Sequence, residues 1–328
     1  MKNDSLLQIA AEIRERDTFT ILGHITPDGD CIGSLVALHL ALTALGKVHN
    51  VLLRDEIPAN YGFLTGVQEI QRLSAESTLY DTIIFADCGD MARAGEDCAA
   101  LLAKQPHFIL NIDHHGTNAF FGNRNYVDAG AAACAEILAE LIPALGIRLT
   151  PEMADALYTG ILMDSGNFQY SSTTSRTLRT AAQLLDAGAN LDRIRVAMFE
   201  SKDPREIQML SLALRHMQRS EDGTIAWMYL TLEELRSIQA EDYHPEGLVN
   251  YLRSIVGVKA AVHFRETGAN EVKIAFRSKD SFDISKTAVH FGGGGHPQAS
   301  GARFAGTLEE AIQTVIPYLA VGLKEYAE

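Results

Sequence analysis

The chain has 328 residues, 47% of them hydrophobic and 21% charged, with a formal net charge of -14. At roughly 100–200 residues per domain this length predicts two domains, and the composition lies far from that of disordered chains. The acidic balance argues against coating long nucleic acids, which requires many Lys and Arg to replace counterions, but leaves room for a short anionic substrate.

Met1 to Leu7 runs straight into an amphipathic helical pattern, without the apolar stretch and cleavage site of a secretory signal, so a cytoplasmic location is expected. Apolar β-type runs follow at 19–23, 49–53, 82–86 and 108–112, alternating with helical patterns at 34–45, 131–145, 151–163 and 175–186. That rhythm predicts an α/β fold, with a mostly parallel sheet flanked by helices in a larger N-terminal domain. Residues 191–219 read as two polar-faced helices parted near Asp203 and Pro204. The expected division is therefore a domain over 1–190, a helical linker over 191–220 and a smaller mixed α/β domain over 221–328. In the last, strands are expected at 224–230, 258–265 and 271–277, helices at 232–238 and 284–291, then a Gly-rich loop and a final helix from 308.

The most apolar stretches, 32–45 and 129–145, carry His39, Glu136 and Glu140, so neither supplies the ~18 uninterrupted apolar residues of a membrane span. Cys31, Cys88, Cys98 and Cys134 show no C-x-x-C spacing, which favours reduced thiols over a disulfide framework or a zinc knuckle.

Four segments carry the chemistry. His24, Asp28 and Asp30 lie in a loop after the first strand, Asp87 directly follows the third, and Asp113-His114-His115 follows the fourth; Asp164 ends a helical pattern. In an open parallel sheet ligands bind beyond the carboxyl ends of the strands, where these residues are expected. Singly, each has a bland reading: Pro-Asp-Gly-Asp is ordinary turn chemistry, and a lone histidine is more often a satisfied core or surface group. Gathered at one sheet edge, the carboxylates would raise one another's pKa unless cations held them ionised. His and Asp donors without motif-spaced Cys suit a hard divalent ion such as manganese, with zinc, iron and cobalt left open. Two such ions would clamp the attacking and leaving oxygens of a phosphoryl displacement. The run Gly292, Gly293, Gly294 and Gly295 reads alone as a flexible linker as readily as anything else; its place after a helical pattern and beside His296, with Arg277 to supply charge, favours a nest of backbone N–H groups for a phosphate.

The set His24-x-x-Pro27-Asp28-x-Asp30-x-x-Gly33-Ser34, Asp87 with Arg93, Asp113-His114-His115 and Asp164 resembles the four motifs of the DHH phosphoesterases. Arg277-Ser278, Asp283, the glycine run with His296, Ala299 and Gly301 resemble the DHH-associated substrate-binding domain. By size the chain resembles the NrnA-like nanoRNase branch, which degrades short oligoribonucleotides and dephosphorylates 3′-phosphoadenosine 5′-phosphate. The resemblance implies two manganese ions, one held by His24, Asp28 and Asp87 and the other by Asp30, Asp87, His114 and Asp164. It makes His115 the residue contacting the scissile phosphate, Asp113 the acceptor orienting the histidines, and Arg277, Ser278, Gly292, Gly293, Gly294, Gly295 and His296 the substrate contacts. The partners implied are short RNA, dinucleotides and nucleotide 3′,5′-bisphosphates, with a homodimer left open. Ala131-Ala132-Ala133-Cys134 stands where the family has a Ser/Thr-rich helix start, and Asp164-Ser165-Gly166 replaces Asp-Thr-Gly. Three other readings are weighed: a phosphodiesterase for linear or cyclic dinucleotide messengers, a pyrophosphatase, and a noncatalytic nucleotide sensor.

Overall fold

Residues 3–243, 247–279 and 281–327 are described in the computed structural model. The chain divides into two compact units, Met1–Ser201 and Lys202–Glu328.

In the first unit β1 (Thr18–Leu22), β2 (Val48–Leu53), β3 (Ile70–Arg72), β4 (Thr82–Ala86), β5 (Phe108–Asp113) and β6 (Arg124–Val127) form a wholly parallel sheet in the order β3-β2-β1-β4-β5-β6. Every residue of β4 is buried, as a central strand requires when helices cover both faces. One face is covered by α1 (Leu6–Glu15), α2 (Gly29–Ala44), α4 (Cys134–Ala144), α5 (Pro151–Asp164), α6 (Ser175–Asp186) and α7 (Leu191–Phe199), and the other by α3 (Glu96–Leu102). Ile21, Ile32, Leu35 and Leu38 are completely buried on the crowded face, each contributing about 1.5–3 kcal/mol. The strand order reverses between β1 and β4, which opens a crevice at their carboxyl ends.

The second unit contains α8 (Pro204–Arg215), β7 (Gln218–Arg219), β8 (Ile225–Leu230), α9 (Leu232–Ser237), α10 (Leu248–Arg253), β9 (Ala260–Gly268), β10 (Glu271–Ser278), α11 (Ser285–His290), β11 (Gly294–His296), β12 (Ala299–Ala305) and α12 (Leu308–Ala327). Its sheet runs β11-β12-β10-β9-β8-β7, antiparallel except for the β8–β9 pair. Residues from α11 and α12 pack one face, and those from α8, α9 and α10 the other.

Besides the unforeseen α3, α10, β7 and β12, three local departures from the sequence expectation have a clear cause. α2 begins at Gly29 rather than 34, because the Asp28 carboxylate accepts the N–H groups of Asp30 and Cys31 and starts the helix early. β3 and β6 are additional strands, too short or too polar to show a period. The expected Gly-rich loop continues into β11, which pairs with β12; a Cβ at Gly293 would stand 2.0 Å from the Gly301 carbonyl oxygen, so glycine is what lets the two strands close.

Candidate metal centre

The crevice between β1 and β4 is lined by the loops that carry the sequence motifs. His24 follows β1, Asp87 follows β4, Asp113 ends β5 and is succeeded by His114 and His115, and Asp164 is the last residue of α5. Asp28 is the N-cap of α2 and Asp30 lies in its first turn. Asp87 adopts a left-handed φ of 58°, a conformation costing a non-glycine residue of order 1–3 kcal/mol and held here by its N–H bond to Ile112 O.

Two donor groups meet there, each with its ligand atoms within 4.8 Å of one another: His24, Asp28 and Asp87, and Asp30, His114 and Asp164; a third, Asp87, Asp113, His114 and His115, is equally close-set and overlaps both. His24 Nε2 lies 3.7 Å from Asp28 Oδ1 and 3.3 Å from Asp87 Oδ2. His114 Nε2 lies 3.7 Å from Asp30 Oδ2, 3.4 Å from Asp87 Oδ1 and 3.4 Å from Asp164 Oδ2. Donors bonded at about 2.0–2.2 Å to a shared cation stand at comparable separations, so the spacing suits a small divalent ion. Asp87 faces both groups, one oxygen to each, and its buried Oδ1 has no hydrogen-bond partner among the described residues. All six residues read from the sequence as metal ligands are thus gathered at one rim.

The histidines are preset for this task. His24 Nδ1 donates to Ile25 O at 2.8 Å and His114 Nδ1 to Ala131 O at 3.4 Å, so each Nε2 is the nitrogen turned toward the carboxylates. Without cations the charge is poorly matched. Burial, then repulsion from Asp87, pushes Asp30 up to about 8, and burial with the neighbouring carboxylates raises Asp164 well above its ordinary range despite His114. Burial opposes charging His24, yet Asp28 and Asp87 outweigh it and raise the imidazole to about 11. Asp87 is held low, its burial outweighed by the imidazoles of His114 and His24. The raised carboxyls of Asp30 and Asp164 and the raised imidazoles of His24 and His114 share one cause, carboxylates crowded in a buried crevice, and bound cations would relieve that crowding.

Around this centre lie residues that sequence reasoning missed. His115 Nδ1 donates to Asp113 Oδ1 at 2.7 Å, and Asp113 Oδ2 accepts from Asn118 Nδ2 at 2.6 Å; the same amide nitrogen reaches Asn111 Oδ1 at 2.8 Å. Asp113 therefore bonds His115, while His114 is oriented by a backbone carbonyl. Asp30 accepts the N–H groups of Cys134 at 2.6 Å and Ala135 at 2.9 Å, the start of α4, whose own N-cap is an alanine. Gly160 on α5 permits this approach, since a Cβ there would stand 2.6 Å from Ala135 Cβ and 3.0 Å from Asp30 Oδ1. Nothing in the sequence marks Asn118, but a glutamate in the apolar run of α4, Glu136, was a visible signal of a buried polar role.

In the second unit Arg277 lies half-buried on β10 and donates from Nη1 to Phe276 O at 2.9 Å. Ser278, expected to touch substrate, is instead buried, its hydroxyl donated to Phe282 O at 2.6 Å; it builds the turn after β10. Gly292, Gly294 and Gly295 are exposed and Gly293 is half-buried, while the His296 side chain lies outside the described residues.

Residues 18–161 match the DHH family N-terminal domain and residues 237–320 the DHHA1 domain. The chain belongs to the DHH family of phosphoesterases. It is 32% identical over 90% of its length, and 87% of the relative's, to the bifunctional oligoribonuclease and PAP phosphatase NrnA of Thermus thermophilus. It is 27% identical to the protein of that name from Bacillus subtilis, over 87% of this chain and 89% of the relative. Among solved structures it resembles an exopolyphosphatase-related protein from Bacteroides fragilis, with a TM-score of 0.88 and 27% identity over 98% of this chain and 96% of that one.

Proposed function

We propose that this phosphoesterase hydrolyses short oligoribonucleotides and dinucleotides to mononucleotides, and 3′-phosphoadenosine 5′-phosphate to AMP, using two divalent cations, preferentially manganese. The observation that carries the reading is Asp87, one carboxylate turned to two separate donor groups with an oxygen left without a hydrogen-bond partner among the described residues. The Thermus thermophilus and Bacillus subtilis relatives, an oligoribonuclease and PAP phosphatase by name, support the same substrates.

In this reading His24, Asp28 and Asp87 hold one cation, and Asp30, Asp87, His114 and Asp164 the other. Oxygen and imidazole donors without thiolate favour manganese over a structural zinc. Bound cations supply charge to the phosphoryl oxygens and acidity to a water molecule. His115, its Nδ1 occupied by Asp113, offers Nε2 to the scissile phosphate and moves a proton to the departing oxygen. Asn118 keeps the Asp113 carboxylate in place for that bond. Arg277 and the glycine run Gly292, Gly293, Gly294 and Gly295 with His296 are the proposed substrate contacts of the second unit. No helix among the described residues is long and apolar enough to cross a membrane. The four cysteines are buried free thiols, which agrees with the reducing cytoplasm as the place of action.

A product time course with manganese on a 5′-labelled RNA dinucleotide, a cyclic dinucleotide and 3′-phosphoadenosine 5′-phosphate tests the proposal. Mononucleotide from the first and AMP from the last are expected. Turnover of the cyclic substrate alone would replace this reading with a messenger phosphodiesterase, and no turnover with any divalent metal would remove it.

A further inference from the structure

The metal ligands Asp30 and His114 are both fixed by backbone atoms of one short segment. Ala131 O receives His114 Nδ1, and three residues later the N–H groups of Cys134 and Ala135 hold the two oxygens of Asp30. Because Ala133 supplies no capping side chain, Asp30 is the acceptor that α4 uses to satisfy its first N–H groups. Any shift of 128–135 therefore moves a carbonyl and two amides that aim ligands of the same ion.

What fixes that segment is a buried charge cluster not assigned to the reaction. Glu136, completely buried, accepts Ala132 N–H at 2.8 Å and the Thr177 hydroxyl at 3.1 Å through Oε2. Its Oε1 has no hydrogen-bond partner among the described residues but stands 3.4 Å from Arg176 Nε. Arg176, on α6, also donates from Nη1 to Asp128 Oδ2 at 2.5 Å and from Nε to Glu140 at 3.0 Å. Asp128 in turn accepts Gly130 N–H at 3.0 Å and gives its own N–H to Asp113 O. One guanidinium thus grips carboxylates at the two ends of the segment. A carboxylate this deeply buried is tolerated only with compensating partners, and for Glu136 these are Ala132 N–H, the Thr177 hydroxyl and the nearby Arg176 cation.

We propose that Arg176, Glu136 and Asp128 form a clamp of positioning residues that sets the geometry of the cation held by Asp30, His114 and Asp164, without touching metal or substrate. The inference rests on the metal-dependent function proposed above. Residues that orient ligands from behind are typically worth about 10–100-fold in metal affinity.

The test is calorimetric titration of Mn2+ into metal-stripped full-length protein, with the thermal midpoint of each variant recorded in EDTA. In Arg176→Met and Glu136→Gln one of the two binding events should weaken about 10–100-fold. Arg176→Lys, which keeps the charge but loses the planar fork, should fall between Arg176→Met and wild type. Arg179→Ala, on the same helix but bonded among the described residues only to Ser175, serves as a control expected to bind normally. A lowered midpoint in EDTA with unchanged Mn2+ affinity would make the cluster purely architectural and overturn the clamp. Should Arg176→Met not fold, Thr177→Val, which deletes the bond to Glu136 together with the capping bonds that Thr177 makes to Thr174, answers the same question through its Mn2+ affinity. Wild-type protein that takes up no Mn2+ would overturn the functional reading along with the clamp, whereas normal wild-type uptake with unaltered variants overturns the clamp alone.

Discussion

The two sheets bury charge under opposite rules. At the rim of the parallel sheet, Asp30, Asp87 and Asp164 face each other across two imidazoles, and Asp87 Oδ1 finds no hydrogen bond among the described residues. Beneath the mixed sheet, Arg265 is equally inaccessible, yet its guanidinium donates to the carbonyls of Ala240, Glu241 and Tyr243, although its Nε has no acceptor among the described residues. His263 beside it avoids charge altogether: burial, then Arg265, pushes its imidazole down to about 4. Backbone carbonyls cannot leave, so a charge matched to them is architecture. Asp30 also takes backbone N–H groups, but Asp87 turns both oxygens to imidazoles, and a charge matched by titratable side chains is open to being matched by a cation, as a reactive centre needs.

The comparison can be broken most directly at Asp87. Asp87→Asn should lower hydrolysis of a labelled dinucleotide by about a thousandfold, the order expected when one preorganised charge interaction is lost, while the chain stays folded by circular dichroism. Survival of near-normal turnover would mean that the excess charge in the first unit is architectural too. Arg265→Met should act in the reverse sense, costing about 3 kcal/mol or more in urea unfolding by stranding buried carbonyls, yet leaving Mn2+ affinity intact. A loss of metal binding in that variant would erase the distinction between the units.

His263 gives the comparison a pH axis. Its folded pKa lies below the ordinary 6.5, so the unfolded chain takes up a proton that the folded chain refuses. Stability from this residue is therefore complete above pH 6.5 and is lost as the pH falls from 6.5 through 4, by about 3 kcal/mol at 1.4 kcal/mol per unit. Unfolding curves at pH 7 and 4 should show this loss in wild type and a shallower dependence in His263→Leu. The smallest effect is expected at α1, where Ser5 Oγ accepts Gln8 N–H and the Gln8 side chain returns the bond to Ser5 N–H. Ser5→Ala should cost about 1 kcal/mol and lower the thermal midpoint of the first unit without changing turnover.

Much of the first unit was legible. Four strand cores and the span of α6 fall where apolar runs and the helical pattern place them. β3 and β6 were hidden because three residues, or the polar Arg124-Asn125-Tyr126-Val127, become strands only when β2 and β5 offer backbone partners. β11 was hidden for a related reason, since glycine carries no β signal and pairs here because β12 can approach it closely. The ligands stood out as carboxylates and imidazoles at strand ends, a pattern that chemistry restricts to few uses. Asn118 and Arg176 did not, because a hydrogen bond to a ligand's neighbour has no spacing of its own.

From the chain alone came the α/β alternation, the likeness of its motifs to a phosphoesterase family and the six ligand candidates, because hydrophobic period and donor chemistry are local properties. Tertiary structure alone decided that Asp87 turns one oxygen to each donor group, that Asp30 caps a helix about a hundred positions away, and that Arg176 steadies the turn between them. Those are distances between residues remote in sequence, and only the packing of α2, α4, α5 and α6 on one sheet face fixes them.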